Sequence, residues 1–217
     1  MLHLVDSATE LTTAATDALL ALVAFICLVL LCRSARRGRF HRLWLLFFAS
    51  LGIASLLGAV AHGLRLSEGV DRLIWPMLYL CLGYSLTALA LVALHDWRGM
   101  EKMRKLTPLF MFFPFLVVAL IWVGGGAFIY FLCFEAAVVL FALFVYGRLA
   151  FLSRVPGSGF ILAGILFSLA AALVQASGAW RFELVWLFDH NGLFHLIQLP
   201  GLVCFVIGAR VRCRQSV

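Results

Sequence analysis

Long apolar runs dominate this sequence and leave few folds open to it. A membrane-spanning helix needs about 20 mainly apolar residues. Runs of roughly that length lie at 15–32, 43–62, 72–95, 107–123, 126–147, 158–177 and 189–209. The 217 residues are 65% hydrophobic and only 12% charged, which is too apolar for a soluble domain of this size. The sequence therefore predicts one all-α domain over 1–217, an integral membrane bundle of seven transmembrane helices.

The basic residues between the runs predict the orientation of this bundle. All but three of the 17 Lys and Arg residues lie in the loops after runs 1, 3 and 5 or in the C-terminal tail; the three are Arg65, Arg72 and Arg181. Loops rich in Lys and Arg stay in the cytoplasm. We therefore expect the N-terminus outside, the C-terminus in the cytoplasm, and the protein in the plasma (inner) membrane. Because these charges flank membrane spans and form no separate basic domain, we expect no nucleic-acid partner.

Ionisable side chains gather at the outer ends of several runs. His62 ends the second run, Asp71 begins the third, and Asp189-His190-Asn191-Gly192-Leu193-Phe194-His195 begins the seventh. Glu135 lies inside the fifth run. A charged side chain at membrane depth costs about 2.5–3.5 kcal/mol on insertion scales, so such residues usually face a cavity, a partner or a metal. The pattern predicts a polar site in the outer half of the bundle.

Most of these polar residues also have a purely structural interpretation. Asp71 and Asp189 are placed to cap helices 3 and 7, where backbone donors and the helix dipole favour a carboxylate. Gln175 and Gln198 are expected to hydrogen-bond between helices. Neither helix capping nor hydrogen bonding between helices accounts well for an acidic side chain at Glu135.

Two segments resemble motifs of a superfamily of seven-helix membrane hydrolases. The segment from Asp71 to Tyr79, which contains Pro76-Met77 and follows His62 by nine residues, resembles the Asp-x-x-Pro-Met start of helix 3 in alkaline ceramidases. The segment from Asp189 to His195 resembles the Asp-x-His-x-x-Trp/Phe-His start of helix 7. That motif belongs to the ceramidases, the adiponectin/progestin receptors and the GPI-anchor remodelling phospholipases, which together form the CREST superfamily.

The resemblance implies a zinc ion held by one His of helix 2 and two of helix 7, beside a Ser of helix 2 and an Asp of helix 3. On this chain it assigns His62 and His195 as zinc ligands and Asp71 as the acidic partner. Gly58 stands where the superfamily has Ser, and Asn191 where it has the first helix-7 His. Asn is a weaker zinc ligand than His, so either His190 or Asp189 takes its place, or the metal is absent.

These observations lead to one preferred function and two alternatives. We expect a zinc-dependent amidase or esterase acting on a membrane lipid or lipid-like substrate, with Asp71 or Glu135 as general base or water-orienting group. The first alternative is a non-catalytic multi-pass protein of the same fold, a receptor or partner-binding subunit whose protein partners the sequence does not indicate. The second is a b-type haem protein with His62 and His195 as its axial pair.

Overall fold

The protein is a bundle of long helices joined by short connections. A computed structural model describes residues 3–33, 38–125, 128–152, 155–183 and 185–215. Within these ranges the helices are α1 (Ala8–Cys32), α2 (Arg39–Gly63), α3 (Glu68–Val123), α4 (Ile129–Phe151), α5 (Ser158–Ser177) and α6 (His190–Gln215). All six are long and apolar enough to cross a membrane. The chain is therefore a multi-pass helical membrane protein.

Helix α3 contains two of the predicted runs, 72–95 and 107–123. It is 56 residues long, whereas about 20 residues suffice to cross a membrane. Within it, Gly99 has φ 83° and ψ 172°, which is not a helical conformation. That region of backbone space is open essentially to glycine alone. The sequence predicts two helices here, and the structure has one assigned helix with a break at this glycine.

The chain reverses at this break. Thr87 Oγ1 donates to the carbonyl oxygen of Phe110 at 3.4 Å, although the two residues are far apart along α3. A Cβ atom added at Gly83 would lie only 2.9 Å from Pro114 Cβ. The two arms of α3, 68–98 and 100–123, therefore pack against each other as an antiparallel pair.

The remaining helices follow the predicted runs, with different ends. Helix α1 begins well before residue 15, because Ser7 caps it and accepts a hydrogen bond from the backbone N–H of Glu10. The start of the predicted run 126–147 lies outside the described residues, as do Arg36, Arg37 and Arg154 among the predicted cytoplasmic charges.

A short hairpin interrupts the otherwise helical chain and was not predicted. Strands β1 (Arg181–Glu183) and β2 (Leu187–Asp189) pair antiparallel directly before α6. Phe182 and Phe188 stack across the pair, with ring centroids 5.3 Å apart. Thr12 Oγ1 donates to the Leu187 carbonyl oxygen at 2.7 Å, which ties the hairpin to α1. The hairpin thereby fixes where α6 starts.

The first and last helices are neighbours in this bundle. Helix α1 packs against both α2 and α6, and α6 also packs against α5. The centre of the bundle is filled by large buried side chains, among them Trp44, Phe48 and Phe205. Because the ring of helices closes between α1 and α6, residues from the two ends of the sequence can meet in one site.

A buried ion pair lies near the Gly99 break. Arg212 Nη2 donates to Asp96 Oδ1 at 2.7 Å, and Arg212 Nε donates to Asp96 Oδ2 at 3.1 Å. The Tyr146 hydroxyl and His95 Nδ1 each donate to the same carboxylate at 3.0 Å. The Asp96 side chain is fully buried. This network joins α3, α4 and α6.

Candidate functional site

A cavity of about 300 Å³ lies inside the bundle and is lined by all six helices. Its charged or strongly polar lining residues are Asp17, Ser55, His62, Ser85, Glu135, Ser168, Gln175, Asn191, His195 and Gln198. None of the described residues that line it is Lys or Arg. The rest of the lining is mostly apolar or aromatic and extends inward to Phe47 and Phe205. The cavity thus has one wall of ionisable side chains and an inner part lined by apolar side chains.

The ionisable wall centres on a pair of residues from the first and last helices. Asp17 of α1 and His195 of α6 are both buried, and Asp17 Oδ1 lies 3.3 Å from His195 Nε2. The other ring nitrogen, His195 Nδ1, lies 3.0 Å from Thr16 Oγ1. His195 is therefore held between two side chains of α1.

The hydrogen bonds of Thr16 determine which nitrogen of His195 carries the proton. The Thr16 hydroxyl lies 3.0 Å from the Thr12 carbonyl oxygen and 2.9 Å from that of Thr13, so its single proton is donated to the helix backbone. Thr16 Oγ1 must then accept from His195 Nδ1–H. In the neutral ring the Nε2 lone pair faces Asp17, which is also an acceptor. A proton or a metal cation is needed between these two atoms.

The spacing of this pair suits a metal ion. A charge-assisted N–H···O bond is about 2.7–2.9 Å long, and the 3.3 Å separation is longer. Two ligand atoms that each lie about 2.0–2.1 Å from a tetrahedral zinc ion are about 3.3 Å apart. The Asp17 and His195 donor atoms are therefore spaced like two ligands of one such ion.

His62 presents the same ring nitrogen to the cavity. Its Nδ1 donates to Glu10 Oε2 at 2.6 Å, which leaves Nε2 as the lone-pair nitrogen. A carboxylate on the far nitrogen is the arrangement that orients metal-bound imidazoles in proteins. The ring also packs edge-on against Trp75, with centroids 5.5 Å apart. In their neutral forms both cavity imidazoles therefore have Nε2 available to a metal.

Gly58 makes room for the Asp17 carboxylate. A Cβ atom at position 58 would lie 2.6 Å from Asp17 Oδ2 and 2.9 Å from Asp17 Cγ. This is the position, one helical turn before His62, at which the resemblance expects a Ser. Asp17 therefore occupies the space that a side chain at position 58 would need.

The zinc ligands implied for helix 7 do not come together as implied. Asn191 lines the cavity, but its Oδ1 accepts from Gln175 Nε2 at 3.3 Å, and His190 does not line it. Asp189 caps α6, since its Oδ1 accepts from the backbone N–H groups of Asn191 and Gly192, each at 3.0 Å. Among the described residues, no three His, Cys, Asp or Glu side chains are close enough to hold a metal ion. The donors that fit zinc chemically are His62, His195 and Asp17, of which Asp17 and His195 form the preformed pair.

Asp71 lies beside the cavity, in a groove between the two arms of α3. Its Oδ1 accepts from the indole Nε1–H of Trp75 at 3.1 Å. Trp75 and Tyr79 line both the groove and the cavity. Asp71 therefore fixes the orientation of a cavity-lining ring and does not itself face the two imidazoles.

A second wall of the cavity is aromatic and belongs to α3 and the start of α4. Tyr79 lies between three other rings, with centroid distances of 6.0 Å to Trp75, 5.9 Å to Phe128 and 5.6 Å to Phe131. Glu135 follows Phe131 by one helical turn, lines the cavity and is partly buried. Among the described residues no hydrogen bond or ion pair reaches its carboxylate. Glu135 is thus an unpaired acid in an otherwise aromatic wall.

The two glutamines connect α5 and α6, as predicted. Gln175 donates to Asn191, and Gln198 Nε2 donates to Ser168 Oγ at 2.9 Å. These bonds hold the face of α6 that carries His195 against α5. Both glutamines line the cavity as well.

Sequence reasoning missed three residues of this site: Asp17, Thr16 and Glu10. A signal was present, because Asp17 lies inside the predicted run 15–32, where an acidic side chain is costly. Thr13 lies three positions before Thr16 and four before Asp17, so the three residues share one face of α1. That polar face on an apolar helix indicated a buried partner.

Apolar helices around a partly polar cavity define a multi-pass membrane protein with an internal cavity. The chain belongs to a family of unknown function, DUF6962, whose model matches residues 12–214. No curated protein and no solved structure matches it. The matched residues include both walls of the cavity.

Proposed function

We propose that the protein is a membrane-embedded hydrolase that cleaves an amide or ester bond of a lipid. Asp17 and His195 would supply two ligands of its zinc ion, and His62 lines the same cavity as a further donor of suitable chemistry. The observation that carries the proposal is the Asp17–His195 pair, in which two acceptor atoms face each other at 3.3 Å, a separation that a zinc ion between them would account for. The Nδ1 hydrogen bond of His62 to Glu10 supports it, because it leaves Nε2 free for the cavity.

The proposal includes a membrane topology. Each arm of α3 would cross the membrane separately, which gives seven crossings, and the N-terminus would lie outside the plasma (inner) membrane. The charges around the Gly99 break support this arrangement, since Arg98, Lys102 and Lys105 all lie near it. The cavity then lies in the outer half of the bundle.

The residues around the cavity would have different roles in the reaction. Zinc, when bound, would supply a Lewis acid for the lipid carbonyl and a hydroxide nucleophile. Thr16 and Glu10 hold the two imidazole rings in their tautomers. Glu135 lines the same cavity without a partner, so it is the group that would take up a proton there. Asp71 acts through Trp75, as a positioning residue. The apolar depth of the cavity would hold the acyl chain.

The test is metal content and turnover of the protein in lipid nanodiscs. We expect about one zinc ion per chain and hydrolysis of at least one member of a panel of amide- and ester-linked lipids, abolished by a chelator. His195→Ala and His62→Ala should each weaken zinc binding by at least about 100-fold. His3→Ala is the matched control, because His3 is exposed and does not line the cavity. Wild-type protein without stoichiometric zinc would refute the proposal.

A non-catalytic lipid-binding protein with the same cavity is the second candidate. The observation in its favour is Asn191, which uses its side-chain oxygen to accept from Gln175 where the superfamily has a zinc-ligating His. Silence across the whole lipid panel, with and without a chelator, would favour this candidate.

A further inference from the structure

We propose that the cavity binds an amphiphile with a single cationic ammonium group on an alkyl chain. This inference deepens the proposed function, since it names the substrate class of the same cavity. It concerns binding and does not require that turnover occur.

The first argument is charge. Two carboxylates, Asp17 and Glu135, line the cavity, and no Lys or Arg stands among its described lining residues. An acidic side chain in a cavity favours a cationic ligand over an anionic one. Asp17 faces His195 at 3.3 Å, whereas Glu135 has no hydrogen-bond or ion-pair partner within the described part of the chain. Glu135 is therefore the acid available to a ligand, and a phosphate group would meet no Lys or Arg among the described lining residues.

The second argument is the aromatic wall beside Glu135. Trp75, Tyr79, Phe128 and Phe131 form a continuous cluster, in which Phe128 and Phe131 stack with centroids 5.7 Å apart. All four rings line the cavity. Aromatic faces attract ammonium groups through their electron density, and this is how proteins recognise quaternary ammonium ligands. One unpaired carboxylate within such a wall matches the charge and the apolar surface of an alkylated ammonium group.

The third argument is the shape of the cavity below this wall. Leu82, Leu86 and Leu89 recur at helical spacing along α3 and continue the lining inward, toward Phe205 of α6. An alkyl chain can occupy this apolar depth while its ammonium group stays beside Glu135. The ligand class is thus a long-chain amine or alkylammonium amphiphile without a phosphate.

The experiment compares three probes of equal chain length on the full chain in nanodiscs, in the presence of a chelator. Dodecyltrimethylammonium is cationic, dodecanol is neutral and dodecyl phosphate is anionic, and binding is followed by tryptophan fluorescence. We expect the cationic probe to bind at least about tenfold more tightly than the other two. Equal affinity for all three probes would overturn the inference.

Variants locate the ligand within the cavity. Glu135→Gln should weaken the cationic probe about tenfold and leave dodecanol unchanged, and Trp75→Leu should weaken it about fivefold. Glu135→Asp and Trp75→Phe keep the charge and the ring and should retain the selectivity, which separates recognition from misfolding. Glu101→Gln and Phe112→Leu are the matched controls, because both side chains are exposed and neither lines the cavity. Unchanged affinity in Glu135→Gln would also overturn the inference.

The two proposals fail separately. Loss of zinc or of turnover with intact probe selectivity would refute the hydrolase and leave the ligand class standing. Zinc-dependent turnover of a lipid without probe selectivity would refute the ligand class and leave the hydrolase standing.

Discussion

At the scale of single residues, the backbone of Gly58 leaves no room for a side chain beside Asp17. Any side chain at position 58 would overlap the Asp17 carboxylate, with Cβ 2.6 Å from Oδ2. The carboxylate cannot withdraw easily, because it faces His195 on its other side. The geometry of the Asp17–His195 pair therefore depends on the absence of a side chain on the neighbouring helix.

We predict that Gly58→Ala lowers the free energy of unfolding by about 1–3 kcal/mol, the usual cost of overpacking a close contact. In an Asp17→Ala background the same substitution should cost much less, since contacting residues are not additive. Unfolding in mixed micelles measures both. Gly147→Ala is the control, because a Cβ there has nothing within 4 Å. Equal costs in the two backgrounds would contradict the clash.

Part of the site could be predicted from residue types alone. His62, Glu135, Asn191 and His195 are polar residues of apolar runs, and all four line the cavity. Asp17 and Thr16 were missed because their role depends on α1 packing against α6, and no local pattern encodes that contact. Asp71 and His190 were expected in the site, but their side chains lie outside the cavity lining.

At the scale of elements, the break in α3 lies at one glycine. A Cβ atom added at Gly99 would have nothing within 4 Å, so the surroundings do not forbid a side chain. The φ of 83° does. Hydropathy predicts two runs here because it detects only the apolar segments. The polar residues between them are also helical, and that continuity cannot be predicted from hydropathy.

Gly99→Ala should therefore cost about 1–3 kcal/mol of stability through backbone strain alone. The difference in unfolding free energy from the wild type measures it. Gly159→Ala serves as the comparison, since Gly159 is helical and also has nothing within 4 Å of an added Cβ. If the two substitutions have the same effect, the conformation of Gly99 carries no strain for alanine.

At the scale of the whole molecule, the bundle has two polar centres, one near each end of α6. The cavity contains His195 near the start of α6, and the buried ion pair contains Arg212 near its end. At 1.5 Å per residue these positions are about 25 Å apart along the helix. Because the two centres are this far apart, we expect that a change at the ion pair alters stability and leaves binding in the cavity unchanged.

Asp96→Ala should destabilise the protein by about 3–5 kcal/mol, because it leaves Arg212 buried without this carboxylate. Glu101→Ala removes an exposed pair with Lys105 and should cost no more than about 1 kcal/mol. Folded Asp96→Ala protein should keep the ratio of affinities for the cationic and neutral probes. A changed ratio would show that the two centres are coupled.

The closure of the bundle between α1 and α6 has a consequence for biosynthesis. Asp17 leaves the ribosome with the first helix, and His195 follows only with the last one. Until α6 is inserted, the nascent chain holds an acid in the membrane without the imidazole that faces it in the finished protein. The site is therefore completed in the last step of synthesis, and a chain that stops before α6 carries Asp17 without its partner.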